Sequence, residues 1–153
     1  MLKTKITPLA LVLASLSAPA SADLIISEYI EGSSNNKAIE LYNNADTELS
    51  LEGYTLGLYS NGSSSVGNSI DLSGTLAANT TYIISNPSAD AAILDIADET
   101  STVTYYNGDD ALVLTKDGVV VDSFGQVGVD PGSFWSDDTV QTQNKTLRRK
   151  YLG

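Results

Sequence analysis

The chain has 153 residues with eight basic against nineteen acidic side chains, a formal charge of −11, and neither cysteine nor histidine. Lack of cysteine rules out disulfides, thiolate metal sites and cysteine nucleophiles, and lack of histidine removes the commonest general base and zinc ligand, which argues against a Ser-His-Asp hydrolase or a His-dependent nuclease. The acidity opposes nonspecific nucleic-acid binding, which needs Lys and Arg to displace counterions, and suits solubility or cation binding instead.

Residues 1–22 read as a secretory signal peptide. Lys3 and Lys5 give a positive start, Leu9-Ala10-Leu11-Val12-Leu13-Ala14 and Leu16 an apolar stretch, and Ala20-Ser21-Ala22 a small-x-small cleavage site. The stretch is shorter than the ~20 apolar residues a membrane span takes. Cleavage leaves a secreted domain over 23–153, starting at Asp23, with no later run able to cross a bilayer; two lysines and no acid are lost, taking the charge from −11 to −13. That length fits one domain with a core large enough to need no disulfide.

From residue 24 the sequence breaks into short segments separated by turn residues. Leu24-Ile25-Ile26-Ser27-Glu28-Tyr29-Ile30 predicts a strand whose apolar start implies burial on both faces, and 31–36 a polar turn. Residues 38–43 alternate, with Ile39 and Leu41 on one face and Glu40 and Tyr42 on the other. Leu49 and Leu51 flank Ser50, Gly53 marks a bend, and Tyr54, Leu56 and Leu58 alternate with Thr55, Gly57 and Tyr59. A Ser/Gly/Asn-rich loop at 60–67 precedes alternation around Asp71 and a strand over 81–85. Pro87 opens the one helical pattern, 88–97, short enough that a loop with one or two turns fits as well. Asp117-Gly118 between 111–115 and 119–124 is a primed hairpin turn. Residues 125–138, which contain Trp135, are looser, and 145–152 predicts a last strand. Strands at this spacing with Gly, Asn and Asp turns point to an all-β sandwich or barrel.

Several of these blocks, in this order, resemble a bacterial lamin-tail domain: 24–29, Glu31 through Asn43, Gly53-Tyr54, Asn107-Gly108-Asp109-Asp110-Ala111-Leu112-Val113-Leu114, 122–128, and Thr146-Leu147-Arg148-Arg149-Lys150. The resemblance spans nearly all of 23–150. It implies an immunoglobulin-like β-sandwich, and a host, since such modules sit behind the signal peptide of large secreted nucleases, ahead of a nucleic-acid-binding barrel and a catalytic domain of the endonuclease/exonuclease/phosphatase class. Here the sequence stops at Gly153. It holds no catalytic domain and ends ahead of the family's final strand, so the expectation is a sandwich short of its last strand, with an open sheet edge.

Two readings compete at each candidate site. Asn35, Asn36, Lys37 and Glu40 form a recognition loop, or the Asn and Ser side chains hold the turn and Lys37 pairs with a neighbouring carboxylate. Asn107, Asp109 and Asp110, with Asp122 from the hairpin's return strand, offer oxygen ligands for calcium, the one cofactor considered, although EF-hand spacing is absent; alternatively the aspartates cap backbone N–H groups. Arg148 and Lys150 lie on one face of the last strand and Arg149 on the other, which splits the only basic cluster and favours charge balance or edge protection over phosphate contact. Tyr105, Tyr106, Phe124 and Trp135 form a stacking platform or fill the core. No residue is assigned a catalytic role, since the paired carboxylates at 109–110 and 137–138 lack a nucleophile or metal cluster beside them.

The expected function is a non-catalytic accessory or binding module of a secreted nuclease system. Its expected partner is a nuclease catalytic domain or a cell-surface or other extracellular partner, with direct nucleic-acid binding disfavoured by the acidity. Two alternatives stay open: a fragment of a secreted nuclease whose metal-dependent activity resides in a missing downstream domain, and a calcium-stabilised adhesion module.

Overall fold

A computed structural model describes residues 22–137 and 139–150. The signal sequence, apart from Ala22, lies outside the described residues, as do Asp138 and the end of the expected last strand. The strands are β1 Leu24–Glu31, β2 Lys37–Asn43, β3 Leu49–Ser50, β4 Tyr54–Tyr59, β5 Asn68–Asp71, β6 Thr75–Leu76, β7 Thr81–Ser85, β8 Glu99–Thr100, β9 Ala111–Lys116, β10 Val119–Phe124 and β11 Thr146–Arg148. One sheet runs β11-β1-β2-β7-β8, a second β10-β9-β4-β5, and β3 with β6 forms a small separate ribbon. Pairing is antiparallel except between β7 and β8.

The period-2 pattern places the core. Tyr29, Ile39, Leu41 and Ile84 from the first sheet meet Leu56, Leu58, Leu112 and Leu114 from the second, and Leu24, Val103 and Tyr106 close the ends. Burying each such aliphatic side chain is worth about 1.5–3 kcal/mol against leaving it exposed, so the inter-sheet layer dominates the favourable side of folding. Tyr29 stacks on Phe124, with centroids 4.3 Å apart and planes 10° apart, and tilts against Tyr106 at 4.7 Å. Tyr106 is therefore a core residue, and Phe124 is partly buried against the core. Leu24 through Ile26 are buried in succession, as their unbroken apolar run implies, and Ser27 beside them is buried with its hydroxyl on Glu40.

The hairpin at Asp117-Gly118 has φ of 49° and 79°, the left-handed values a primed turn needs. The expected helix over 88–97 is only Ala91–Leu94. None of its four residues is buried, and the Asp90 side chain, which a cap would use, bonds Asn36. Without an apolar face to pack, one turn is all that forms. Of the expected strand over 145–152, the described residues that pair as a ladder are Thr146–Arg148; the Arg149 N–H still donates to the Ser27 carbonyl, and its side chain turns to the bulge in β1.

Candidate functional site

The site forms at one end of the sandwich, where two turns far apart in sequence meet. The first joins β1 to β2. Gly32 N–H donates to the Asn36 carbonyl at 2.7 Å, and a Cβ on Gly32 would lie 2.7 Å from that same oxygen, so only glycine fits. The Asn36 amide accepts from the Asp90 N–H (2.8 Å) and donates to the Asp90 carboxylate (2.7 Å), fastening the 86–95 segment to the turn. Asn35 is exposed.

Glu31 and Lys37 are opposite each other across the β1–β2 pair. They share a face with Tyr29, Ile39 and Leu41, so both point toward the interior at its open end. Lys37 reaches the Tyr106 carbonyl at 2.5 Å and the Asn107 amide oxygen at 3.1 Å. Glu31, only 6% exposed, accepts from the Tyr29 hydroxyl at 3.0 Å. Burial, then the neighbouring Tyr106 and Glu31, push the Tyr29 phenol far above its ordinary value, so it stays a donor. Burial likewise pushes up the Tyr106 phenol, whose proton is shared between the Ile30 and Ala38 carbonyls.

The second turn is Asn107-Gly108-Asp109-Asp110. The Asp110 carboxylate accepts from the Asn107 and Asn61 N–H groups, both at 2.8 Å. Burial raises its pKa, and the two N–H bonds pull it back part of the way. A Cβ on Gly108 would lie 3.0 Å from the Gln143 Cα, and the Gly108 carbonyl accepts from the Trp135 N–H and the Thr142 hydroxyl. The Trp135 indole N–H donates to the Asp110 carbonyl at 2.8 Å. In this way the turn holds the 132–145 loop against the sandwich. Glu31, Lys37, Asn107, Asp109, Gln143 and Asn144 line the resulting polar groove, of about 510 Å³.

The recognition and calcium candidates are thus partly one site: Lys37, Asn107 and Asp109 converge. Glu40 does not join them. It sits on the outer face of the first sheet, accepts from the Ser27 hydroxyl at 2.7 Å, and neighbours Glu28, which pairs with Arg148 at 3.0 Å. Lys150 is exposed beyond β11.

The four calcium candidates do not assemble. Asp122 faces Arg149 at 2.7 Å and the Ile26 N–H at 2.8 Å, away from the 107–110 turn. Both Asp110 oxygens already accept backbone N–H groups, and the Asn107 oxygen already accepts an ammonium, which is the capping reading of this turn. Among the described residues no three carboxylates stand close enough to hold an ion. The groove offers hydrogen-bond donors and acceptors of both charges, the chemistry of recognition. Gln143 and Asn144 had no signal beyond the polarity of their loop.

A smaller cavity of about 380 Å³ lies between β10 and β11, with Phe124, Trp135, Val140 and Leu147 in its wall. No helix among the described residues is long and apolar enough to cross a membrane.

No curated protein matches the chain. The family model for the lamin tail domain matches residues 17–128, a span holding β1 through β10 and both turns of the groove. With most of its length in that match and its strands packed as an immunoglobulin-like sandwich, this chain belongs to the lamin tail domain family.

Proposed function

We propose that the chain is a non-catalytic binding module of a secreted nuclease system, exported by its first 22 residues, and that it meets its partner through the polar groove. Lamin tail domains are generally interaction modules. The observation that carries the reading is the convergence of Glu31, Lys37, Asn107 and Asp109 in one groove, with no cluster of three carboxylates among the described residues. The link to nucleases rests on the ordered blocks shared with modules that precede nuclease domains, and fold alone does not fix function.

The test is to incubate the purified chain with linear duplex and single-stranded DNA in magnesium and in calcium. The expected result is no cleavage above buffer. Cleavage that follows the protein through repurification and disappears in Glu31→Gln would contradict the module reading and favour an enzyme.

A further inference from the structure

Within the groove, the Glu31 carboxylate takes a single bond from inside the fold. Its Oε2 accepts from Tyr29, and no bond from a described residue reaches Oε1. Lys37 is its cross-strand neighbour, yet that ammonium is turned to the Tyr106 carbonyl and the Asn107 amide. Neither ion pair among the described residues includes Glu31. The carboxylate lines the groove and can take a further donor there. Asp109, half-buried, adds a second carboxylate to the same groove, and the Gln143 and Asn144 amides add neutral hydrogen-bonding groups.

We propose that this groove receives the arginine or lysine side chain of a basic protein partner, its cationic head on Glu31 and Asp109. The inference rests on the binding-module reading above and names the chemistry of the partner. About 510 Å³ accommodates a guanidinium and its aliphatic stem. Nineteen acidic against eight basic residues give the molecule a field that draws cationic partners. Arginine suits the site best, because its planar fork of donors can serve two carboxylates at once.

Calorimetric titration of the full chain with a Gly/Ser peptide bearing one arginine tests this. The comparisons are the same peptide with citrulline, which keeps the shape and loses the charge, and free arginine. Saturable binding of the arginine peptide is expected, with citrulline and free arginine each weaker by about tenfold or more. Glu31→Gln and Asp109→Asn each weaken the arginine peptide by about tenfold, while Glu28→Gln, on the outer face, leaves it unchanged. Should Glu31→Gln fail to fold, Asp109→Asn gives the same reading. Absence of saturable binding, equal binding of citrulline, or equal weakening by Glu28→Gln overturns the proposal. Free arginine bound as tightly as the peptide makes the groove a small-cation receptor and overturns the protein partner. An inert chain that binds no peptide loses this inference and keeps the module reading, whereas DNA cleavage removes that reading whatever the peptide does.

Discussion

Asp110 is the residue on which the groove's second turn depends. Its carboxylate fixes the Asn107 and Asn61 N–H groups and its carbonyl holds the Trp135 indole, so one residue ties the 107–110 turn, the 60–67 loop and the 132–145 loop together. Burial raises its pKa despite the two N–H bonds. The folded chain therefore takes up this proton more readily than the unfolded one. The contribution of Asp110 to stability then grows as pH falls through its folded pKa toward the ordinary carboxylate value, and it diminishes as pH rises. Melting wild type and Asp110→Asn across the range from neutral to mildly acidic pH checks this: the difference in stability should shift in favour of wild type as pH is lowered. A shift against wild type on acidification contradicts the raised pKa. Sequence alone left Asp110 as either a calcium ligand or a cap, because an Asp in an Asn-Gly-Asp-Asp turn serves both uses. The choice depended on Asn61, 49 residues upstream, whose N–H takes the oxygen a metal would need.

Among the elements, β1 and β11 show how a bulge becomes a joint. The register slips between Ile26 and Glu28, and beside the slip side chains meet the Ile26 N–H and carbonyl. Asp122 of β10 accepts from the Ile26 N–H, and the Arg149 Nε donates to the Ile26 carbonyl at 2.9 Å. The Arg149 guanidinium also donates to both Asp122 oxygens, at 2.8 and 2.7 Å. This triangle links the edge strands of the two sheets. Arg149→Met keeps the packed stem and removes the three bonds. With Arg149 itself 42% exposed and Asp122 12%, the expected loss is about 1–3 kcal/mol by urea denaturation, toward the lower end because solvent screens the pair. Arg149→Lys is expected to recover little of it, since an ammonium cannot reproduce the fork. Unchanged stability in Arg149→Met would show that the triangle contributes nothing. Alternation correctly separated Arg149 from Arg148. It gave no hint of the bulge, because no local pattern marks where a ladder slips. At 88–97 the alternative of a loop with one turn is what forms, for a related reason: the four helical residues bury no surface, which only the tertiary arrangement reveals.

For the molecule as a whole, the sandwich was largely legible from residue order. Period-2 patterns at 38–43 and 54–59 and the apolar run at 111–114, with the primed hairpin between β9 and β10, allow few arrangements other than two packed sheets. β6 and β8, two residues each, were too short to leave a pattern, as was the parallel pairing of β8. The candidate site was half legible. Lys37, Asn107 and Asp109 stood out as turn residues, but Lys37 and Asn107 are 70 positions apart, and nothing short of the folded topology brings them to one groove. On the proposed function, this polar end, and neither the Trp135 cavity nor an outer sheet face, is where the molecule recognises its partner. Backbone amide NMR shifts, followed while the arginine peptide is titrated into ¹⁵N-labelled protein, test it most directly. The largest changes should fall on residues 31–37, 107–109, 132–133 and 143–144. Largest changes at Phe124, Trp135 and Leu147, or around Glu28 and Glu40, would contradict it.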